Sequence, residues 1–115
     1  MILNFVPRQI EPDITVIEFS GQLTLGNRLI DAEHEIKGQV QRGVKKLVLD
    51  LTGLTFLDSS GVGVLAVCAG AMTKSGGRML ITGASGKVKE VLELTRLDRV
   101  IGLYPDLASA CTAFA

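Results

Sequence analysis

Tryptophan is absent from the 115 residues, tyrosine occurs once, and aromatic side chains make up only 4% of the chain. A core with so few rings has to be built from Val, Leu, Ile and Ala, and the 47% hydrophobic content is enough to fill one. Histidine occurs once, at His34, and cysteine only twice, at Cys68 and Cys111. There is no pair of CxxC motifs and no His cluster, which argues against structural zinc, and no metal or other cofactor is expected. Both cysteines lie in apolar stretches and read as small core hydrophobes. Excess charge is also missing, because 12 basic residues balance 12 acidic ones. Such a chain has no field to attract nucleic acid or an anionic membrane, so neither is an expected partner. Its longest apolar run, Gly61 to Met72, falls short of the ~20 residues that a membrane-spanning helix needs. Met1-Ile2-Leu3-Asn4-Phe5 has no basic region and soon reaches Pro7 and Arg8, unlike a signal peptide. A soluble, cytoplasmic chain with one domain over residues 1–115 is the expectation.

Strands and helices are readable from periodicity. Asp13 to Leu23 alternates, with Ile14 and Val16 on one face and Thr15, Ile17 and Phe19 on the other, so both faces of that strand are largely covered. A shorter strand over Asn4 to Gln9 precedes it across Glu11-Pro12-Asp13, close enough to pair as a hairpin. Leu25, Leu29, Ala32, Ile36 and Val40 predict a helix from Gly26-Asn27 to about Arg42, stopped by Gly43. Leu47 to Leu51 reads as a central buried strand. A second helix runs from about Ser60 to Lys74, followed by a strand over Met79 to Thr82 and a third helix with Val88, Val91, Leu92 and Thr95 on one stripe. Arg99 to Leu103 predicts a last strand, and Asp106 caps a C-terminal helix with Leu107, Ala110, Cys111 and Phe114 facing inward. Strands alternating with helices after an opening hairpin imply an α/β fold with a mostly parallel sheet.

Asp58-Ser59-Ser60 carries the most information. It follows a buried strand and opens a helix whose first turn holds Gly61-Val62-Gly63. Sites in open α/β sheets favour the carboxyl ends of strands, and a helix N-terminus offers unpaired N–H groups and the positive end of a dipole. A phosphoryl group placed there brings about −1.5 to −2 charges. Capping alone asks for one Ser or Asp, not for three polar residues in a row. The helix that follows is apolar nearly all round, which marks a buried helix or one at a contact surface. Two readings of Val62, Leu65, Ala66 and Ala69 stay open: some of them reach the surface beside Ser59, or neighbouring helices cover them.

Leu47-Val48-Leu49-Asp50-Leu51, then Phe56-Leu57-Asp58-Ser59-Ser60-Gly61-Val62-Gly63-Val64-Leu65, resembles the signature of STAS domains, in particular of bacterial anti-sigma factor antagonists. Leu92 to Val100 is similar to that family's C-terminal segment, and Gly21-Gln22-Leu23 to its second-strand motif. The resemblance implies a STAS-like mixed, mostly parallel β-sheet of four to five strands with helices packed mainly on one face. It implies that Ser59 is phosphorylated by a partner serine kinase that doubles as an anti-sigma factor, and that a phosphatase resets the cycle. Unmodified Ser59 would permit binding and phosphorylated Ser59 would release the partner. Asp58, Ser60 and Gly61 would support the switch loop. Thr24, where the family often has an acidic residue, would lie in a loop that contacts the kinase.

An enzyme reading has little support. There is no GxSxG elbow, and His34 sits between Glu33 and Glu35 on what reads as a solvated helix face. Gly83-Ala84-Ser85-Gly86-Lys87-Val88 lacks the upstream Gly and the Ser or Thr of a phosphate loop, so a turn leading into the third helix is expected. The serious rival is a STAS module that serves a scaffold or a transport complex without a phosphorylation cycle.

Overall fold

The computed structural model describes residues 1–114. The chain opens with a hairpin, β1 (Asn4–Ile10) and β2 (Ile14–Leu23), and then alternates: α1 (Leu29–Gln41), β3 (Lys46–Leu57), α2 (Ser59–Lys74), β4 (Arg78–Thr82), α3 (Gly86–Leu94), a 3₁₀ turn at Leu97–Arg99, β5 (Gly102–Tyr104) and α4 (Leu107–Ala113). The five strands lie in the order β1-β2-β3-β4-β5, with β1 antiparallel to β2 and every later pair parallel. This is the mostly parallel α/β sheet expected from the sequence.

The alternation in β2 explains how the layers form. Ile17, Phe19 and Leu23 join the main core with Leu47, Leu49, Leu51 and Ile81 under the residues of α1, α2 and α3. Ile14 and Val16 face the other way, where Val48, Leu80 and Ala110 of α4 make a second, smaller cluster. Helices therefore cover one face fully, and the other carries α4 alone. Cys68 is buried in the main core, whereas Cys111 is half-buried at the edge of the smaller cluster.

Three boundaries differ from the sequence reading, each for a backbone reason. Helix α1 starts at Leu29, not at Gly26-Asn27, because Gly26 (φ 80°) and Arg28 (φ 61°) both adopt left-handed conformations that a right-handed helix cannot contain. The Asn27 N–H closes a turn on the Thr24 carbonyl instead (3.1 Å), and Leu25 leaves the predicted stripe for an exposed loop. Strand β3 runs on to Leu57, well past Leu51. Beyond Asp50 it parts from β4 and stays paired with β2, whose register shifts absorb the irregularity. The Asp50 carboxylate accepts from Thr52 N–H (3.0 Å) and Thr52 Oγ1 (2.6 Å) at the point of divergence. The last strand is Gly102–Tyr104 and not Arg99–Leu103, because left-handed Arg96 folds Leu97–Arg99 into a 3₁₀ turn and leaves Val100 in solvent.

Candidate functional site

Strand β3 delivers Asp58 to the start of α2, where its extended backbone makes it the N-cap. One carboxylate oxygen, Oδ1, accepts from the Gly61 N–H at 2.9 Å. The other, Oδ2, accepts from the Leu25 N–H at 3.0 Å, so α2 is tied to the loop between β2 and α1. The Asp58 N–H donates to the Leu23 carbonyl (3.3 Å) at the end of β2. Gly61 is buried against that same carbonyl, and a side-chain carbon at 61 would collide with it. Only glycine lets the first turn of α2 approach β2 so closely. Burial pushes the Asp58 carboxyl up, but the N–H groups of Leu25, Gly61 and Ser60 outweigh it and hold the group below the ordinary carboxylate value. Asp58 is therefore an anion at neutral pH.

With Asp58 filling the cap, capping makes no demand on Ser59 or Ser60. Ser59 is exposed at the first helical position and Ser60 is half-buried. A hydroxyl held in solvent at the positive end of a 16-residue helix is chemically available, and any negative charge placed on it gains from the dipole.

The expected contact set divides. Val62 and Ala66 are partly exposed, and Thr24 is half-buried in the adjoining loop. Leu65 is 0% exposed and Ala69 only 7%, both inside the main core, so neither offers surface to a partner. The reason is geometric: Gly61, Leu65, Cys68, Ala69 and Met72 follow the spacing of one helix face, and that face lies on the sheet. The helix turns Gly63, Val67 and Gly70 outward instead.

Sequence reasoning missed Leu25 and Ile30. They are 76% and 69% exposed, and with Arg28, Leu29 and Asp31 they line a groove of about 290 Å³ between the loop held by Asp58 and the first turn of α1. The loop has further anchors. Asn27 Nδ2 donates to the carbonyls of Gln22 and Met1, both at 2.8 Å. Arg28 donates to the Leu3 carbonyl (3.0 Å), and its guanidinium stacks over the Phe5 ring at 4.9 Å. Signals for both residues were present. Gly26-Asn27 is a turn-forming pair that ends any helix through Leu25, and Ile30, next to Leu29, cannot share its inward face.

Elsewhere the chemistry is sparse. Among the described residues no three His, Cys, Asp or Glu side chains converge as a metal site would require. His34 lies exposed on α1. Burial pushes the Cys68 thiol up to about 11, with the Glu33 carboxylate adding to the effect, so it is no nucleophile at neutral pH. Gly83–Ser85 links β4 to α3, with Ser85 at the N-cap, and Gly86 to Val88 already form the first turn of that helix. No helix among the described residues is long and apolar enough to cross a membrane.

Comparison with known proteins places this arrangement. The profile of the STAS domain matches residues 6–110. A Thermotoga maritima chain named as a candidate anti-sigma factor antagonist is 26% identical over 104 residues, which cover 90% of this chain and 92% of that one. The anti-sigma F factor antagonist of Paenibacillus polymyxa is 29% identical over 72 residues, 63% of this chain and 62% of its own. The crystal structure of an anti-sigma factor antagonist from Mycobacterium paratuberculosis superposes with a TM-score of 0.87 at 26% identity, covering 96% of this chain and 92% of that one. A profile match over residues 6–110, carried on a five-stranded sheet with the Asp58-Ser59-Ser60-Gly61 turn at the head of α2, means that this chain belongs to the STAS domain family.

Proposed function

We propose that this chain is an anti-sigma factor antagonist: a binding module, not an enzyme, in which unmodified Ser59 permits docking on an anti-sigma factor that is also a serine kinase, and phosphorylated Ser59 releases it. The observation that carries this reading is the exposed Ser59 hydroxyl at the head of α2, freed from capping by Asp58 and joined through Asp58 to an apolar loop. The names of the relatives support the partner class. The docking surface consists of Thr24, Val62 and Ala66, with Leu25 and Ile30 added and the buried Leu65 and Ala69 left out. The whole chain, 1–115, acts as one STAS domain in the cytoplasm.

The chemistry of the cycle is simple. The kinase transfers the γ-phosphoryl group of ATP to Ser59 Oγ. The bond from phosphorus to the ADP oxygen breaks, the bond to Oγ forms, and the hydroxyl proton passes to a base on the kinase. A phosphatase returns Ser59 by delivering water to phosphorus, which leaves as inorganic phosphate. The added group carries about −1.5 to −2 charges next to the Asp58 anion and inside an apolar contact, where repulsion and desolvation both oppose binding. A hundredfold loss of affinity needs only about 2.7 kcal/mol.

The test is incubation with ATP and candidate anti-sigma factor kinases, followed by intact mass and peptide mapping. One phosphoryl group on Ser59, its absence in Ser59→Ala, and continued binding of that variant to the kinase are expected. No phosphoryl gain from any kinase that binds the chain would sink the switch and favour a scaffold or transport-complex module.

A further inference from the structure

A helix cap needs one acceptor, and Asp58 supplies two. Its Oδ1 serves α2 in the ordinary way through Gly61, whereas Oδ2 reaches 33 residues back to the Leu25 N–H. Leu25 is one of the most exposed large apolar residues in the chain, and it shares a groove with Ile30, which is exposed as well. The surrounding anchors hold the flanks of this loop: Asn27 N–H on Thr24, Asn27 Nδ2 on Gln22 and Met1, and Arg28 on Leu3. The contact at Leu25 itself is the carboxylate of Asp58. That carboxylate belongs to the residue next to Ser59.

A phosphoryl group on Ser59 would present three acceptor oxygens to the N–H groups of the first turn, the same groups that now draw in Asp58. It would also repel the Asp58 anion across a single residue. Both effects act on the carboxylate that holds Leu25.

We propose that Asp58 is the positioning residue that reports the state of Ser59 to the loop carrying Leu25: its Oδ2 bond to the Leu25 N–H keeps Leu25 in its docking arrangement beside Ile30 at the start of α1, and a dianion on Ser59 takes that bond away. The proposal rests on the phosphorylation reading for its biological meaning, but the coupling itself is a property of this chain alone. It makes the switch larger than local repulsion, because residues that the phosphate never touches change their presentation.

The experiment is amide hydrogen exchange and amide chemical shift by NMR on the full chain. Asp58→Asn keeps a side-chain oxygen for the Gly61 N–H, but its NH₂ cannot accept from Leu25. Exchange at Leu25 should rise at least about tenfold, the scale of one lost bond to a charged acceptor, while Gly61 keeps its protection. In the parent chain the Leu25 amide shift should titrate in acid, as the Asp58 carboxyl protonates below the ordinary carboxylate value, and this titration should vanish in Asp58→Asn. A purely structural cap would move Leu25 and Gly61 together and would overturn the proposal. Ser59→Glu, which needs no kinase, should raise Leu25 exchange in the parent chain and add nothing in the Asp58→Asn background. Equal, additive effects in the two backgrounds would overturn it too. Should these results appear while no kinase modifies Ser59, the coupling stands and the phosphorylation reading fails; phosphorylation of Ser59 with Leu25 still protected is the reverse.

Discussion

Helices α2 and α4 both begin on an aspartate that accepts the N–H three residues on, Gly61 at 2.9 Å for Asp58 and Ser109 at 2.8 Å for Asp106. Beyond that bond the two sites part. Asp106 Oδ1 also takes the Ser109 hydroxyl at 2.8 Å, so its bonding stays within one helical turn. Asp58 sends its second oxygen across the molecule to Leu25. The helices differ in the same way. The inward face of α2 lies in the main core, whereas α4 covers a small cluster with Ala110 and the half-buried Leu107. A capping pattern in sequence thus describes a local event, and what sets these two turns apart is where the remaining oxygen goes.

The largest effect that sharpens this contrast is expected in the core. Leu65→Ala should cost about 2–5 kcal/mol in urea unfolding, since it empties a fully buried site under α2. Leu107→Ala on α4 should cost about 1 kcal/mol, because much of that side chain is already in water. Similar losses at the two positions would show that α4 is anchored as firmly as α2, and the comparison would lose its basis.

Leu65 also shows how far the sequence could be read. Its burial, and the exposure of Gly63 and Val67, follow from which arc of an all-apolar helix meets the sheet, and nothing in an all-apolar sequence marks that arc. The two-faced strand β2, the Asp106 cap and the place of Ser59 at the head of a helix were legible, since alternation and capping are local chemistry. The start of α1 was not. Arg28 adopts a left-handed backbone, rare for a residue with a side chain, and contacts with Leu3 and Phe5 hold it there from the far end of the hairpin. The extension of β3 past Leu51 likewise depends on pairing with β2 alone. Non-local partners decided the start of α1 and the length of β3, whereas the late start of β5 follows the local left-handed turn at Arg96.

The two caps should separate next in acid. Both carboxyls lie below their ordinary value of 3.8, Asp106 because the Ser109 N–H and hydroxyl bind it, and Asp58 because backbone N–H donors, Leu25 foremost, outweigh its burial. A depressed native pKa gives stability that is fully present above the unfolded value and is lost as pH falls through the native one. Asp58→Asn and Asp106→Asn should therefore each be less stable than the parent near neutral pH, and the gap should close in acid. The gap is expected to be wider for Asp58, which also loses the bond to Leu25. Equal gaps would mean that the longer-range bond adds nothing to stability.

The smallest effect concerns the outer face of α2. That face keeps glycine at Gly63 and Gly70 with open space around both, where α4 shows Ala108 and Thr112 to solvent. A glycine inside a helix costs about 0.5–1 kcal/mol relative to alanine, and among the described residues none packs into the space that a methyl group at 63 would fill. Gly63→Ala should accordingly raise Tm by about 2–6 °C. If Tm rises while the affinity of unmodified chain for an anti-sigma factor that binds the parent falls, the glycine serves close approach of a partner to the turn that carries Ser59. If Tm stays flat or drops, the outer face of α2 is constrained by folding after all, and its bareness says nothing about docking.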